Sequence, residues 1–114
     1  MRLRTEIWVK AYIRSCAVAG AAAVVARHGD DDAGAVFIRI NRLDGTSAVF
    51  GPAPAGLDTA ALDRQWVATL GTGFQPDAGV ESYLEREAEF DPDLWIIEVE
   101  DPAGRHFLDG WLAK

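Results

Sequence analysis

The sequence predicts an α+β domain, with an antiparallel sheet of four to five strands and two helices packed on one face of that sheet. Three observations support this fold class. Residues 5–20 and 77–90 repeat apolar side chains at helical spacing. Between them, Asp44-Gly45 separates two strand-like runs, and this dipeptide is typical of a β-hairpin. Residues 94–100 are mostly large, aromatic or β-branched, which predicts a buried strand.

The first helix is predicted between Thr5, which can act as an N-cap, and Gly20, which can end a helix in the left-handed conformation. Cys16 borders the predicted core-facing side and is expected to be a small buried hydrophobe. That side is expected to carry Ile7, Trp8, Ala11, Tyr12, Ser15, Val18 and Ala19.

Three strands, at residues 21–28, 35–43 and 46–50, are predicted to form an antiparallel meander. A two-residue turn at Asp44-Gly45 would pair Leu43 with Thr46 and Arg39 with Phe50. Val49 would then share a face with Val36, Ile38 and Ile40. The prolines of residues 51–56 predict an extended connector. Residues 57–70 leave two alternatives open: a short helical turn followed by a strand over 64–70, or one helix over 58–70.

Residues 72–76 are predicted as loop. The second helix is predicted to begin after Asp77, which acts as its cap, and to end near Phe90. Its apolar face is expected to carry Val80, Tyr83, Leu84, Ala88 and Phe90. Pro92 prevents the helix from continuing. In the strand that follows, Trp95, Ile97 and Val99 alternate with Leu94, Ile96, Glu98 and Glu100, so its first half is apolar on both faces and should be covered on both. Residues 105–108 are predicted as a short return strand. Trp111 and Leu112 are expected to dock on the core or on a partner.

Length and composition indicate one globular domain over residues 1–114, since the chain is 49% hydrophobic and 25% charged. A single cysteine excludes an internal disulfide and a cysteine-based zinc cluster, which favours a reducing, cytoplasmic location. Lys10 and Arg14 interrupt the only stretch that resembles a signal peptide. The net charge of −7 makes double-stranded nucleic acid and anionic membranes unfavourable partners.

The charge is unevenly distributed. Five basic residues against one acidic residue lie up to His28, whereas ten acidic residues against Arg86 lie between Asp77 and Asp101. The basic half could meet an acidic partner or the acidic half of a second copy. It also raises an alternative hypothesis, weak nucleic-acid binding through Arg2, Arg4, Lys10 and Arg14.

Strand-end carboxylates raise a second alternative, a metal-assisted hydrolase or nuclease. Its candidate ligands are Glu98, Glu100 and Asp101 with Asp30 and Asp32 from the acidic loop. Such sites usually add a lysine or paired histidines, and Lys10 is the only lysine before the last residue. No phosphate-binding, nucleophile-elbow or zinc-protease motif is found either. We therefore expect no cofactor and no metal, and a non-catalytic interaction or regulatory module capable of forming a homodimer.

Three segments, EIWVKAYIR at residues 6–14, RHGDDDAGAVFIRINRLDGT at 27–46 and FDPDLWIIEVED at 90–101, carry a resemblance to a known family. In order and spacing they resemble domain of unknown function 1491, a family of short, mostly alphaproteobacterial proteins. The resemblance implies a cytosolic single-domain protein. It brings no assigned activity, cofactor or catalytic residue to this chain.

Overall fold

The computed structural model describes residues 3–54 and 64–113 of the chain. Within these ranges the protein forms two helices and one six-stranded sheet, which confirms the α+β class. No helix of the described part is long and apolar enough to cross a membrane. The elements in chain order are α1 (Thr5–Val18), β1 (Ala22–Arg27), β2 (Val36–Asn41), β3 (Thr46–Pro52), β4 (Trp66–Ala68), β5 (Gln75–Pro76), α2 (Asp77–Phe90) and β6 (Trp95–Glu100).

The sheet is mixed, with the strand order β1-β6-β2-β3-β4, and β5 pairs with β3. The last strand, β6, is antiparallel to β1 and parallel to β2. The predicted three-stranded meander is therefore wrong at β1, and the sheet is not wholly antiparallel. The physical reason is that the first half of β6 is apolar on both of its faces. Its central position gives its backbone two hydrogen-bonded neighbours and keeps it away from water.

The hairpin between β2 and β3 is shifted by one residue from its predicted register. Ile38 pairs with Phe50 and Asn41 with Ser47, and the Arg42 amide donates to the Thr46 carbonyl at 3.1 Å. The loop therefore has three residues, 43–45, with positive φ at the first and last of them. Because side chains alternate along a strand, the shift moves Val49 to the opposite face from that predicted.

The two faces of the sheet carry separate hydrophobic clusters, one under each helix. On one face α1 packs against alternate residues of β2 and β6, including Ile38, Ile40 and Ile97. On the other face α2 packs against Phe37, Val49, Leu94 and Ile96. The prediction that both helices share one face is wrong. Both β2 and β6 are apolar on both faces, so each face needs its own cover.

The buried side of α1 is rotated relative to the predicted stripe. Trp8 stacks on Tyr12 at a centroid distance of 5.0 Å and on Trp66 of β4 at 4.1 Å, and these aromatic contacts orient the helix. The predicted stripe is confirmed at Trp8 and Tyr12. It is wrong at its other members, which are all exposed: Ile7, Ala11, Ser15, Val18 and Ala19. The residues that α1 buries are Thr5, Trp8, Val9, Tyr12 and Cys16, which confirms the expectation for the cysteine.

Residues 66–68 form a strand, so the strand alternative for this region is confirmed and the helix reaching Leu70 is wrong. The helical turn over 58–62 lies outside the described residues. The strand β3 continues through Gly51 and Pro52, which were predicted as connector, because both pair with β4. Gln75 and Pro76, predicted as loop, pair with the start of β3.

The helix α2 has the predicted bounds, but two details at its ends differ. Asp77 is its first residue and not its cap, and Phe90 is 90% exposed instead of lying on the apolar face. Residues 105–108 form no strand; instead Leu112 makes one parallel bridge with Trp66. The predicted alternation of buried side chains in β6 is confirmed.

Candidate docking surfaces and the charged cluster between them

The acidic residues considered as metal ligands lie at opposite ends of β6. The Asp30 amide donates to the Asp93 carbonyl at 2.9 Å, and the Asp30 carbonyl accepts from the Trp95 indole at 2.8 Å, so the acidic loop lies at the start of β6. Glu100 ends the strand, about 16 Å away at the usual rise per residue. The described residues contain no group of three side chains able to hold a metal ion. The convergence that the hydrolase hypothesis requires is not found there.

The acidic loop instead caps the first helix. The amides of Thr5 and Glu6 donate to the carbonyls of Asp32 and Asp31 at 3.2 and 3.0 Å, which satisfies helix-terminal donors that would otherwise lack acceptors. The Asp32 carboxylate also accepts from Arg4 at 2.7 Å. Negative charge next to a helix N-terminus is favourable. The cluster Asp30–Asp32 therefore has a structural role in positioning α1.

Asp101 lies just beyond β6 and is paired within its own turn. Its carboxylate accepts hydrogen bonds from the backbone amide and the guanidinium of Arg105, at 2.8 to 3.1 Å. These hydrogen bonds hold the pKa of Asp101 below its ordinary value. The charge of Asp101 is thus matched within the domain.

Trp111 and Leu112, the expected interaction residues, pack against the α1 cluster and are partly buried. Trp111 meets Trp8 edge to face at a centroid distance of 5.4 Å. Its carbonyl accepts from the Trp66 amide at 2.8 Å, which joins the C-terminal segment to β4. Both residues therefore dock on the core of their own chain.

Arg39, a mostly buried arginine that the sequence analysis did not single out, organises the charges under α2. The Arg39 side chain is 11% exposed and makes ion pairs with Asp77 at 3.2 Å, Glu81 at 3.7 Å and Glu98 at 3.2 Å. Its Nε donates to the Ser47 hydroxyl, which donates to Asp77. One arginine within an apolar strand is the signal that could have found this cluster, because a buried cation requires acidic partners.

A trough of about 320 Å³ runs alongside α2, above β6. Its apolar lining comes from Leu84, Ala88 and Ile96. Glu81 and Glu85 of α2 line it as well, and Arg27 and Arg39 contribute from the sheet. The trough exists because α2 contacts β3 and β5, on the side of the sheet away from β1.

The strand β1 forms one edge of the sheet and is poorly covered. Val24 and Val25 are 56% and 41% exposed, and only Ala23 and Arg27 of the strand are partly buried. On its inner side β1 pairs with β6 from Ala22 to Arg27, with an irregularity between Val25 and Arg27. Its outer side carries no neighbouring strand in the described part of the chain. No local sequence signal identifies this edge, because an uncharged, valine-containing run is equally typical of a strand inside a sheet.

Similar folds occur in solved structures. A crystal structure of a DUF1491 family protein from Caulobacter crescentus CB15 is 38% identical, with a TM-score of 0.81 and full coverage of both chains. An NMR structure of a DUF1491 family protein from the same organism is 44% identical, covering 94% of this chain and 93% of that one, with a TM-score of 0.75. A solution structure of a protein from A. tumefaciens is 36% identical, covering 88% and 86%, with a TM-score of 0.73.

No curated protein matches the chain. A family model described as "Protein of unknown function (DUF1491)" matches residues 3–109, nearly the whole sequence. These matches confirm the resemblance carried by the three sequence segments. The chain belongs to the DUF1491 family.

Proposed function

We propose that this domain is a cytoplasmic, non-catalytic interaction module that self-associates through the outer edge of β1. The observation that supports this proposal is the exposure of a six-residue edge strand whose first five residues are uncharged and whose valines face solvent. An unpaired strand edge offers a row of backbone donors and acceptors to another strand. Natural proteins usually protect such edges with lysine, proline or a bulge.

The protection of β1 is confined to one end. Arg27 and the irregularity before it interrupt only the last residues of the strand. The preceding run, Ala22 to Ala26, contains no charge and no proline. This run is long enough for backbone pairing with a second strand.

A second copy of this chain can pair with this edge, because it supplies an identical exposed strand. Two β1 strands related by a two-fold axis perpendicular to the sheet pair antiparallel and keep corresponding faces on the same side. With Val24 opposite Val24 of the second copy, Ala23 lies opposite Val25. Small, uncharged side chains then meet across the interface, and no like charges lie opposite each other. Pairing of two six-residue strands buries less surface than a standard stable interface, so we expect a weak dimer.

Sedimentation equilibrium over a wide protein concentration range tests the proposal. We expect a reversible monomer–dimer equilibrium, and we expect Val24→Lys to shift it to monomer because the lysine charge would face its own copy. Val24 is half-exposed, so the variant should fold, which circular dichroism checks. Val18→Lys is the matched control, since Val18 is 84% exposed but lies on α1. A strict monomer at high concentration, or equal association of both lysine variants, would exclude this edge.

A further inference from the structure

Among the residues that the structure describes, a helix covers only half of one side of the sheet. The helix α2 packs over Phe37 and Val49 of β2 and β3 through its buried residues Val80 and Leu84. The neighbouring strands β6 and β1 point Ile96 and Val24 toward the same side, since Arg27 pairs with Ile96 and Val24 with Glu98. The helix α1 covers only the opposite side. In the described part of the chain, the space above β6 and β1 beside α2 is therefore open, and Ile96 and Val24 form the apolar part of its floor.

The charges around this space are mainly carboxylates. Glu81 is 59% exposed, and Glu85 and Glu100 are also exposed. Glu98 lies on the same side of β6 and is partly exposed. Arg39 is the cation among them, but its side chain is almost fully buried and already contacts three carboxylates. A molecule entering the space would meet negative charge at the end near Glu81 and Glu98.

The other end of the trough carries the opposite charge. Arg27 lines it there, next to Ile96, and its guanidinium donates to the Pro92 carbonyl at 3.1 Å. It makes no ion pair with any residue in the described ranges. The trough is therefore negative near Glu81 and Glu98 and positive near Arg27.

We infer that this trough binds an amphipathic helix of a partner protein, with its apolar side on Ile96 and Ala88 and basic residues in its N-terminal half. A helix has a positive N-terminal pole and a negative C-terminal pole. Placed parallel to α2, such a helix has its N-terminus near Glu81 and Glu98 and its C-terminal carbonyls near Arg27. Both poles then meet opposite charge. Helix-in-groove docking of this kind uses an apolar face for affinity and charge for orientation. The inference goes beyond self-association and does not depend on it.

Three synthetic helical peptides of equal length test the inference. All carry the same leucine face; the first has lysines in its N-terminal half, the second has lysines in its C-terminal half, and the third has glutamates in place of lysines. We expect the first to bind most tightly and the third not to bind. In ¹⁵N-labelled protein, the amide signals of Val24, Ala88 and Ile96 should shift on binding.

Substitutions in the trough distinguish peptide binding at this site from general electrostatic attraction of a basic peptide to an acidic protein. Glu81→Gln with Glu85→Gln should weaken binding of the first peptide by about tenfold, as expected for two partly exposed charge pairs. Glu89→Gln, on the same helix but outside the trough lining, is the matched control and should change binding little. The inference would be overturned if the two lysine peptides bound equally well or if no peptide bound. It would also be overturned if the amide shifts were confined to α1, or if Glu89→Gln weakened binding as much as the trough variant.

Discussion

Replacing Gly29 by alanine tests how the acidic loop holds the start of β6. A Cβ atom at Gly29 would lie 2.2 Å from the Asp93 carbonyl oxygen and 2.5 Å from the Leu94 carbonyl carbon. Both are backbone atoms, so they cannot rotate away as a flexible side chain could. The loop would have to move back by roughly 1 Å to restore a normal contact.

The cost follows from the contacts that such a movement disturbs. The Asp30 amide bonds to the Asp93 carbonyl, and the Trp95 indole donates to the Asp30 carbonyl. Each of these hydrogen bonds contributes about 1 kcal/mol, and forcing an extra carbon into a packed site costs about 1 to 3 kcal/mol. We expect Gly29→Ala to lower the free energy of unfolding by about 3 to 5 kcal/mol in total. That is a large fraction of the stability of an ordinary domain.

Urea denaturation followed by tryptophan fluorescence measures the effect. Gly79→Ala is the control, because Gly79 lies within α2 and a Cβ there has no atom within 4 Å. Alanine is the better helix former, so this variant should be more stable by up to about 1 kcal/mol. A Gly29→Ala protein within 1 kcal/mol of the wild type would show that the loop does not depend on this close contact.

Two further predictions concern buried polar groups. Arg39→Met should lower the free energy of unfolding by about 2 to 3 kcal/mol, because it leaves partly buried carboxylates without their cation. Arg86→Met is the control, since Arg86 is exposed. Equal free energies of unfolding in the two variants would contradict the ion-pair assignment. Tyr12→Phe should cost about 1 kcal/mol near neutral pH, since the hydroxyl donates to the His106 carbonyl at 2.6 Å. Burial raises the pKa of Tyr12 above its ordinary value of 10.0, so the wild type should lose stability as the pH rises above 10, where the unfolded chain ionises first. Urea denaturation at neutral and strongly alkaline pH should show that Tyr12→Phe loses less stability at alkaline pH than the wild type does. An equal loss in both proteins would contradict the role given to the Tyr12 hydroxyl.

Local pattern was sufficient to predict most of the elements. The helices α1 and α2, the strand β6 and the hairpin turn were recognisable because helical spacing, β-branched residues and Asp-Gly act over a few neighbouring residues. The exact pairing was not recognisable in the same way. A loop longer by one residue shifted the hairpin register and placed Val49 under α2.

The candidate surfaces depended on longer-range contacts. The exposed edge of β1 follows from the position of β6 between β1 and β2, which is set by pairing between distant segments. The ion-pair cluster likewise joins Arg39 to residues about forty and sixty positions later in the chain. Neither arrangement has a local signature apart from an arginine in an apolar strand.

The sequence by itself determined the α+β class, the family and a last strand whose first half is apolar on both faces. Only the tertiary structure decided that the helices lie on opposite faces, that β1 is an edge and that a charged trough lies beside α2. The physical reason is that periodicity shows which side of an element is apolar, but not which element covers it. Packing and hydrogen bonding between distant segments make that choice.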